Sequence, residues 1–127
     1  MARQRVFSGS PYETALGYCR AVRDGRHVYV AGTAPIMPDG ADPPTDSHGQ
    51  ARRCFEIIGA ALVEAGAGLD DVVRTRIYLT PDADFDEVGR AHGEVFRDIR
   101  PVNTTVIVAA LIDPRWLLEI EVDAVVD

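Results

Sequence analysis

Cysteine is scarce in this chain: Cys19 and Cys54 are the only two, and neither belongs to a CxxC pair. That usage suggests neither a metal site nor a disulfide framework, and it fits a reducing cytoplasm. No apolar run approaches the ~20 residues that cross a bilayer. The opening MARQRVFSGSPYE carries basic residues without the apolar segment of a signal peptide. The expectation is a cytoplasmic protein with no membrane partner. Positive charge is the scarcer sign, with 13 Lys and Arg against 20 Asp and Glu, a net −7. Such a chain lacks the broad basic surface that a phosphate backbone requires, so no nucleic-acid partner is expected. Internal repeats and linkers are missing, as are a nucleophile elbow, a P-loop and a dinucleotide glycine pattern. His27, His48 and His92 share no ligand-like spacing, so no metal is expected.

What is present fits a single domain over residues 1–127. With 46% hydrophobic and 26% charged residues, it can bury a core without staples. A short first strand is placed around Arg5 to Phe7. GYCRAV and HVYVAG flank RDGR, which predicts a hairpin with Asp24-Gly25 supplying positive φ angles. The Pro/Gly/Asp-rich stretch IMPDGADPPTD, 36–46, reads as a surface loop. A helix over 47–65 follows, capped by Asp46 or Ser47. Ala51, Cys54, Phe55, Ile58, Leu62 and Ala65 form its apolar stripe, and Gly66 stops it. The AGAG at 65–68 is that stop, not a phosphate cradle.

VVRTRIYLT alternates. It places Val73, Thr75, Ile77 and Leu79 on one face and Arg74, Arg76 and Tyr78 on the other. A second helix, about 82–97, turns Phe85, Val88, Ala91, His92, Val95 and Phe96 inward. TTVIVAAL is a strand, IDPRW a turn, and LLEIEVDAVV a final strand with Glu119, Glu121 and Asp123 on its polar side. Right-handed crossovers put both helices on one face of a mixed sheet of about six strands, a two-layer α+β domain. The other face then carries three acidic groups opposite Arg74 and Arg76, which can pair across strands. VYVAG and VIVAA, read as middle strands, are apolar on both sides and call for cover on both. These features predict a homo-oligomer with small-molecule sites where subunits meet.

Four blocks carry a resemblance: GYCRAV, YVAGTAP, AGAGLDDVVRTRIYLTPDADFDEV and RPVNTTVIVAALIDPRWLLEIEVDA. In order and spacing they resemble the Rid family, also called YjgF or L-PSP endoribonucleases, over roughly residues 15–126. The resemblance implies a chorismate-mutase-like fold. It also implies a homotrimer with a cleft between each neighbouring pair, and cofactor-free hydrolysis of reactive imines or enamines. It places the family's tyrosine at Tyr18, its backbone segment at Ala31-Gly32 and its catalytic glutamate at Glu119. The arginine that clamps a substrate carboxylate falls at Asn103, which offers an amide and no charge. Arg100 matches another family arginine and does not replace it. Arg115, in a turn one residue longer than usual, would sit at the far end of a hairpin from Asn103. The chain thus resembles an arginine-lacking branch.

Read as individual residues, these positions leave alternatives open. Glu119 either pairs with an arginine of the next strand or orients a water beside an imine carbon. Tyr18 either holds a ligand edge or packs at the cleft. Asn103 and Thr105 either grip a neutral or zwitterionic ligand or satisfy backbone groups at the strand mouth. His92 reads as a satisfied residue at the core edge, and Cys54 as a small core residue. Two functions follow. One is an imine or enamine deaminase acting on a small metabolite through Glu119 and Tyr18, with Ala31, Gly32, Asn103 and Thr105 binding. The other is a non-catalytic trimer of the same fold that holds a ligand or regulates a partner.

Overall fold

The computed structural model describes residues 3–127. Six strands, β1 (Gln4–Val6), β2 (Ala21–Asp24), β3 (His27–Thr33), β4 (Val72–Leu79), β5 (Val102–Ile107) and β6 (Leu118–Val125), form one sheet in the order β1-β2-β3-β6-β4-β5. All neighbours are antiparallel except β4 and β5. Helices α2 (Ser47–Glu64) and α3 (Phe85–Phe96) cover one face, and a short helix α1 (Pro11–Leu16) lies between β1 and β2. The two-layer α+β architecture is the one the sequence predicts. Among the described residues no helix is long and apolar enough to cross a membrane.

The helix-covered face holds the core. Alternation along β6 buries Leu118, Ile120, Val122 and Ala124 against the α2 stripe of Ala51, Cys54, Phe55, Ile58 and Leu62. Each large aliphatic side chain so placed contributes about 1.5–3 kcal/mol. Asp46 caps α2 by accepting from the Gly49 amide, and Gly66, at φ 81°, turns the chain out after it. Cys54 is fully buried and its thiol is pushed far up by burial, so it is a packing residue.

Several details differ from the sequence expectation. GYCRAV is not all strand: β2 begins at Ala21, and α1 precedes it, capped by Ser10, opened by Pro11 and closed by left-handed Gly17. Six residues are too few for an apolar period to declare itself. The hairpin loop is Gly25-Arg26, since Asp24 pairs with His27, and only Gly25 has positive φ. Val73 does not face the core. A register shift in β4 turns it out, 46% exposed, and puts Val72 inside. Phe85 is the first residue of α3 and is 62% exposed. Asp84 caps that helix by accepting from the Glu87 amide. β5 is an edge strand, not a middle one, and β4 separates it from β6.

Gln50 joins the layers near the pocket described below. Fully buried on α2, it donates to Pro44 O and Arg115 O at 2.8 and 2.9 Å and accepts from the Leu117 amide at 2.8 Å. It thereby pins the 36–46 loop and the turn before β6 with one side chain. Gln50→Leu keeps the volume and orphans those backbone groups. It is expected to cost about 2–4 kcal/mol in urea unfolding.

Candidate functional site

The open face of the sheet is charged and largely self-satisfied. In register, Arg74 faces Asp123 and Arg76 faces Glu121 across β4 and β6. The ion pairs are Arg74–Asp123 at 3.8 Å, Arg76–Glu121 at 3.8 Å and Arg76–Asp123 at 3.5 Å, and the Tyr78 hydroxyl donates to Glu121. The next acidic residue along β6 is Glu119, opposite Tyr78. Among the described residues it forms no ion pair and no side-chain hydrogen bond, so pairing with a neighbouring-strand arginine is not its state here. It is half-buried, and burial raises its carboxyl pKa, offset in part by Arg20.

Glu119 opens into a pocket of about 360 Å³ lined also by Tyr18, Arg20, Ala31, Gly32 and Trp116. Local backbone geometry explains the convergence. Gly17 ends α1 in the left-handed region, and its amide and that of Tyr18 both bond Glu13 O, at 2.9 and 3.0 Å. This fixes the backbone at Tyr18, which lines the pocket. A bulge between Val30 and Thr33 lifts Ala31-Gly32 out of the ladder with β6. At Gly32 a Cβ would stand 3.3 Å from Glu119 Oε1, so glycine allows the carboxylate to lie against the backbone.

Arg20 holds these parts together and was not singled out by sequence. It is 5% exposed. Its Nη2 donates to Gly32 O at 3.2 Å, and its guanidinium stacks over the Tyr18 ring at 5.7 Å. Glu13, also buried, lies 4.0 Å from its Nε. The one available signal was an arginine inside an otherwise apolar strand-like segment, CRAV. A second chamber of about 680 Å³ adjoins the first, sharing Ser10, Tyr12, Arg20, Ala34, Ile36 and Trp116 with it. Tyr12 and Trp116 meet edge to face at 6.1 Å along the shared wall.

The structure brings Tyr18, Ala31, Gly32 and Glu119 together, and places Asn103 and Thr105 elsewhere. These two lie within β5, not at its mouth, and in register with Thr75 and Ile77 they point to the helix-covered side, whereas Glu119 points to the open side. Thr105 Oγ1 donates to Asn103 Oδ1 at 2.9 Å, Asn103 Nδ2 donates to Thr75 Oγ1 at 3.0 Å, and Thr75 Oγ1 meets His92 Nε2 at 2.9 Å. Burial lowers the His92 pKa, which favours a neutral ring accepting the threonine proton. Arg115 is opposite the other end of β4 from Asn103, as the sequence suggested, although the strands form no hairpin. It is taken up by Asp113 and Asp42, at 2.8 and 2.7 Å, and holds the Asp113 carboxyl down to about 2. Thr75→Val would leave Asn103 and His92 without their shared partner. Thermal and chemical unfolding should then show a loss of about 1–3 kcal/mol.

This geometry and sequence have close counterparts. The endoribonuclease L-PSP family pattern matches residues 9–126. A crystal structure of a Mycobacterium tuberculosis protein from the YjgF family superposes with TM-score 0.90 at 48% identity, covering 98% of this chain and 100% of that one. A Streptomyces coelicolor protein is 42% identical over 97% of this chain and 92% of its own length. Escherichia coli TdcF, provisionally named a reactive intermediate deaminase, is 30% identical over 85% of each chain. Its crystal structure with bound serine superposes with TM-score 0.81 at 27% identity, covering 97% of this chain and 94% of that one. With its chorismate-mutase-like fold and a match that spans nearly its whole length, the chain belongs to the YjgF, or L-PSP, family.

Proposed function

We propose that this protein is an imine or enamine hydrolase, a deaminase that clears a small reactive metabolite without metal or cofactor. The observation that carries the reading is Glu119: half-buried, unpaired, raised in pKa and set against Gly32 in a pocket with Tyr18. Relatives support it, since TdcF bears the deaminase name and its structure holds an amino acid. The reaction adds water across C=N. Glu119 takes a proton from the attacking water as its oxygen bonds the imine carbon. It delivers that proton to the imine nitrogen, giving a carbinolamine, and then carries the carbinolamine hydroxyl proton to the same nitrogen as the C–N bond breaks, leaving a carbonyl and ammonia. Imines need little more than placement, so orientation by Tyr18 and the Ala31-Gly32 backbone supplies most of the gain.

The working unit in this reading is a cytoplasmic homotrimer with its open sheet faces turned inward. Exposed Tyr29, Val102 and Val106 on that face favour such cover. Edge strand β5 would then bring Asn103 and Thr105 toward a neighbour's pocket, with Asn103 where the family's carboxylate-clamping arginine would stand. A silent ligand-binding trimer is favoured by one observation: the Asn103 amide is already spent on Thr75.

An amino-acid oxidase that generates 2-imino acids in situ separates the two. The protein should speed imine loss, and no acceleration with any imine, carboxylated or neutral, leaves only the binding reading. Glu119→Gln should lower kcat by about 100-fold or more. A carboxylate base with a raised pKa is active when deprotonated. The wild-type rate should therefore fall as pH drops through a value above the usual glutamate range, and a flat acid limb would show that Glu119 is not the base. Sedimentation should give a particle of three 13.8 kDa chains at micromolar concentration; a stable monomer would remove the trimer.

A further inference from the structure

Arg20 is used far below its capacity. A guanidinium offers five N–H donors in a fixed fork. Arg20 donates a single hydrogen bond among the described residues, Nη2 to Gly32 O. Its buried Nε has no acceptor. Glu13 balances the charge but does not fill that need: it stands 4.0 Å away, and its two oxygens accept from the Ser8 amide and the Ser8 hydroxyl. Burying a cation with its Nε–H unpartnered is costly unless another acceptor arrives.

Position says where that acceptor would come from. Arg20 borders both chambers. The other arginines of the larger chamber are engaged, Arg115 with Asp113 and Asp42, and Arg53 with Ile36 O at 2.7 Å and Glu56. The fork is also held in place, one arm by Gly32 O and its plane by the Tyr18 ring. A preorganised fork loses little freedom on gripping a planar anion.

We infer that Arg20 is the anion anchor of this pocket, gripping the carboxylate of a small substrate at the junction of the two chambers while the reactive carbon lies beside Glu119. The protein then acts on carboxylated imines although position 103 is an asparagine. The charge sits inside the subunit that carries Glu119 and does not come from edge strand β5. The remainder of the substrate runs into the larger chamber, which leaves room for side chains longer than an ethyl group. The inference rests on the hydrolase reading for the reaction, but not for the charge of the ligand.

Binding tests it apart from turnover. The probes are 2-oxobutanoate and its uncharged amide, titrated by NMR into full-length protein. Arg20→Gln alone strands buried Glu13, so the informative variant is E13Q/R20Q, with E13Q as the control that keeps the fork. Wild type and E13Q should bind the anion more tightly than the amide. E13Q/R20Q should lose roughly 10- to 100-fold for the anion and a markedly smaller factor for the amide, which feels only the loosening of Tyr18 and Gly32. Arg20→Lys should recover only part of the loss. Equal weakening of both probes, an anion affinity indifferent to Arg20, or no anion binding by wild type at millimolar concentration would each overturn the inference. Oxidase-generated imines are assayed in parallel. Arg20-dependent anion binding without turnover removes the hydrolase reading alone, and turnover with no Arg20 dependence removes the anchor alone.

Discussion

Apolar burial in this sheet is one-sided, and the placement of the candidate base follows from that. Strict alternation along β6 sends Leu118, Ile120, Val122 and Ala124 under α2 and leaves Glu119, Glu121 and Asp123 on the other side. Two of those three acids are neutralised by Arg74 and Arg76 one strand away. Glu119 lies beyond the arginines, opposite Tyr78, where β4 supplies no cation. A carboxylate in that place is half-buried without being paired, which is the condition for a raised pKa and for a role in proton transfer. The same alternation that makes the core therefore also isolates the candidate base.

Second to this is the backbone around Gly32. The bulge after Val30 interrupts pairing just where Glu119 needs room, and the missing Cβ lets its carboxylate settle against the chain. Arg20 ties this irregular segment to β2 by its side chain and by its carbonyl, which accepts from the Ala31 amide at 2.9 Å. Its guanidinium is at once structural, through Gly32 and Glu13, and chemically idle at Nε. Buried arginines with spare donors are rare enough that one at a pocket junction calls for an explanation by ligand.

Much of the layer structure was legible because long elements declare their period. The α2 stripe and the β6 alternation each predict one buried face, and the core uses those faces as read. Short elements escaped: α1 has six residues, and its caps at Ser10 and Gly17 mark it better than any hydrophobic pattern. Strand order is not readable locally: the apolar VIVAA segment predicts a central β5 beside β6, whereas β4 lies between them. The parity of β4 failed at Val73 because a bulge shifts the face without leaving a mark in residue type. At the site, Tyr18, Gly32 and Glu119 were found through resemblance. Arg20 was not, because an arginine in a strand reads as surface charge until its burial is known. The sequence places Asn103 at the mouth of its strand, whereas in the structure its amide completes a chain of hydrogen bonds from Thr105 to His92.

The most direct measurement is a crystal structure of the protein soaked with a 2-oxo acid, the product that imine hydrolysis would leave. The account predicts density between Tyr18, Gly32 and Glu119, with the carboxylate on Arg20 and the ketone carbon within reach of a water held by Glu119. An empty pocket at saturating concentration, or a ligand bound with its carboxylate turned away from Arg20, would contradict it.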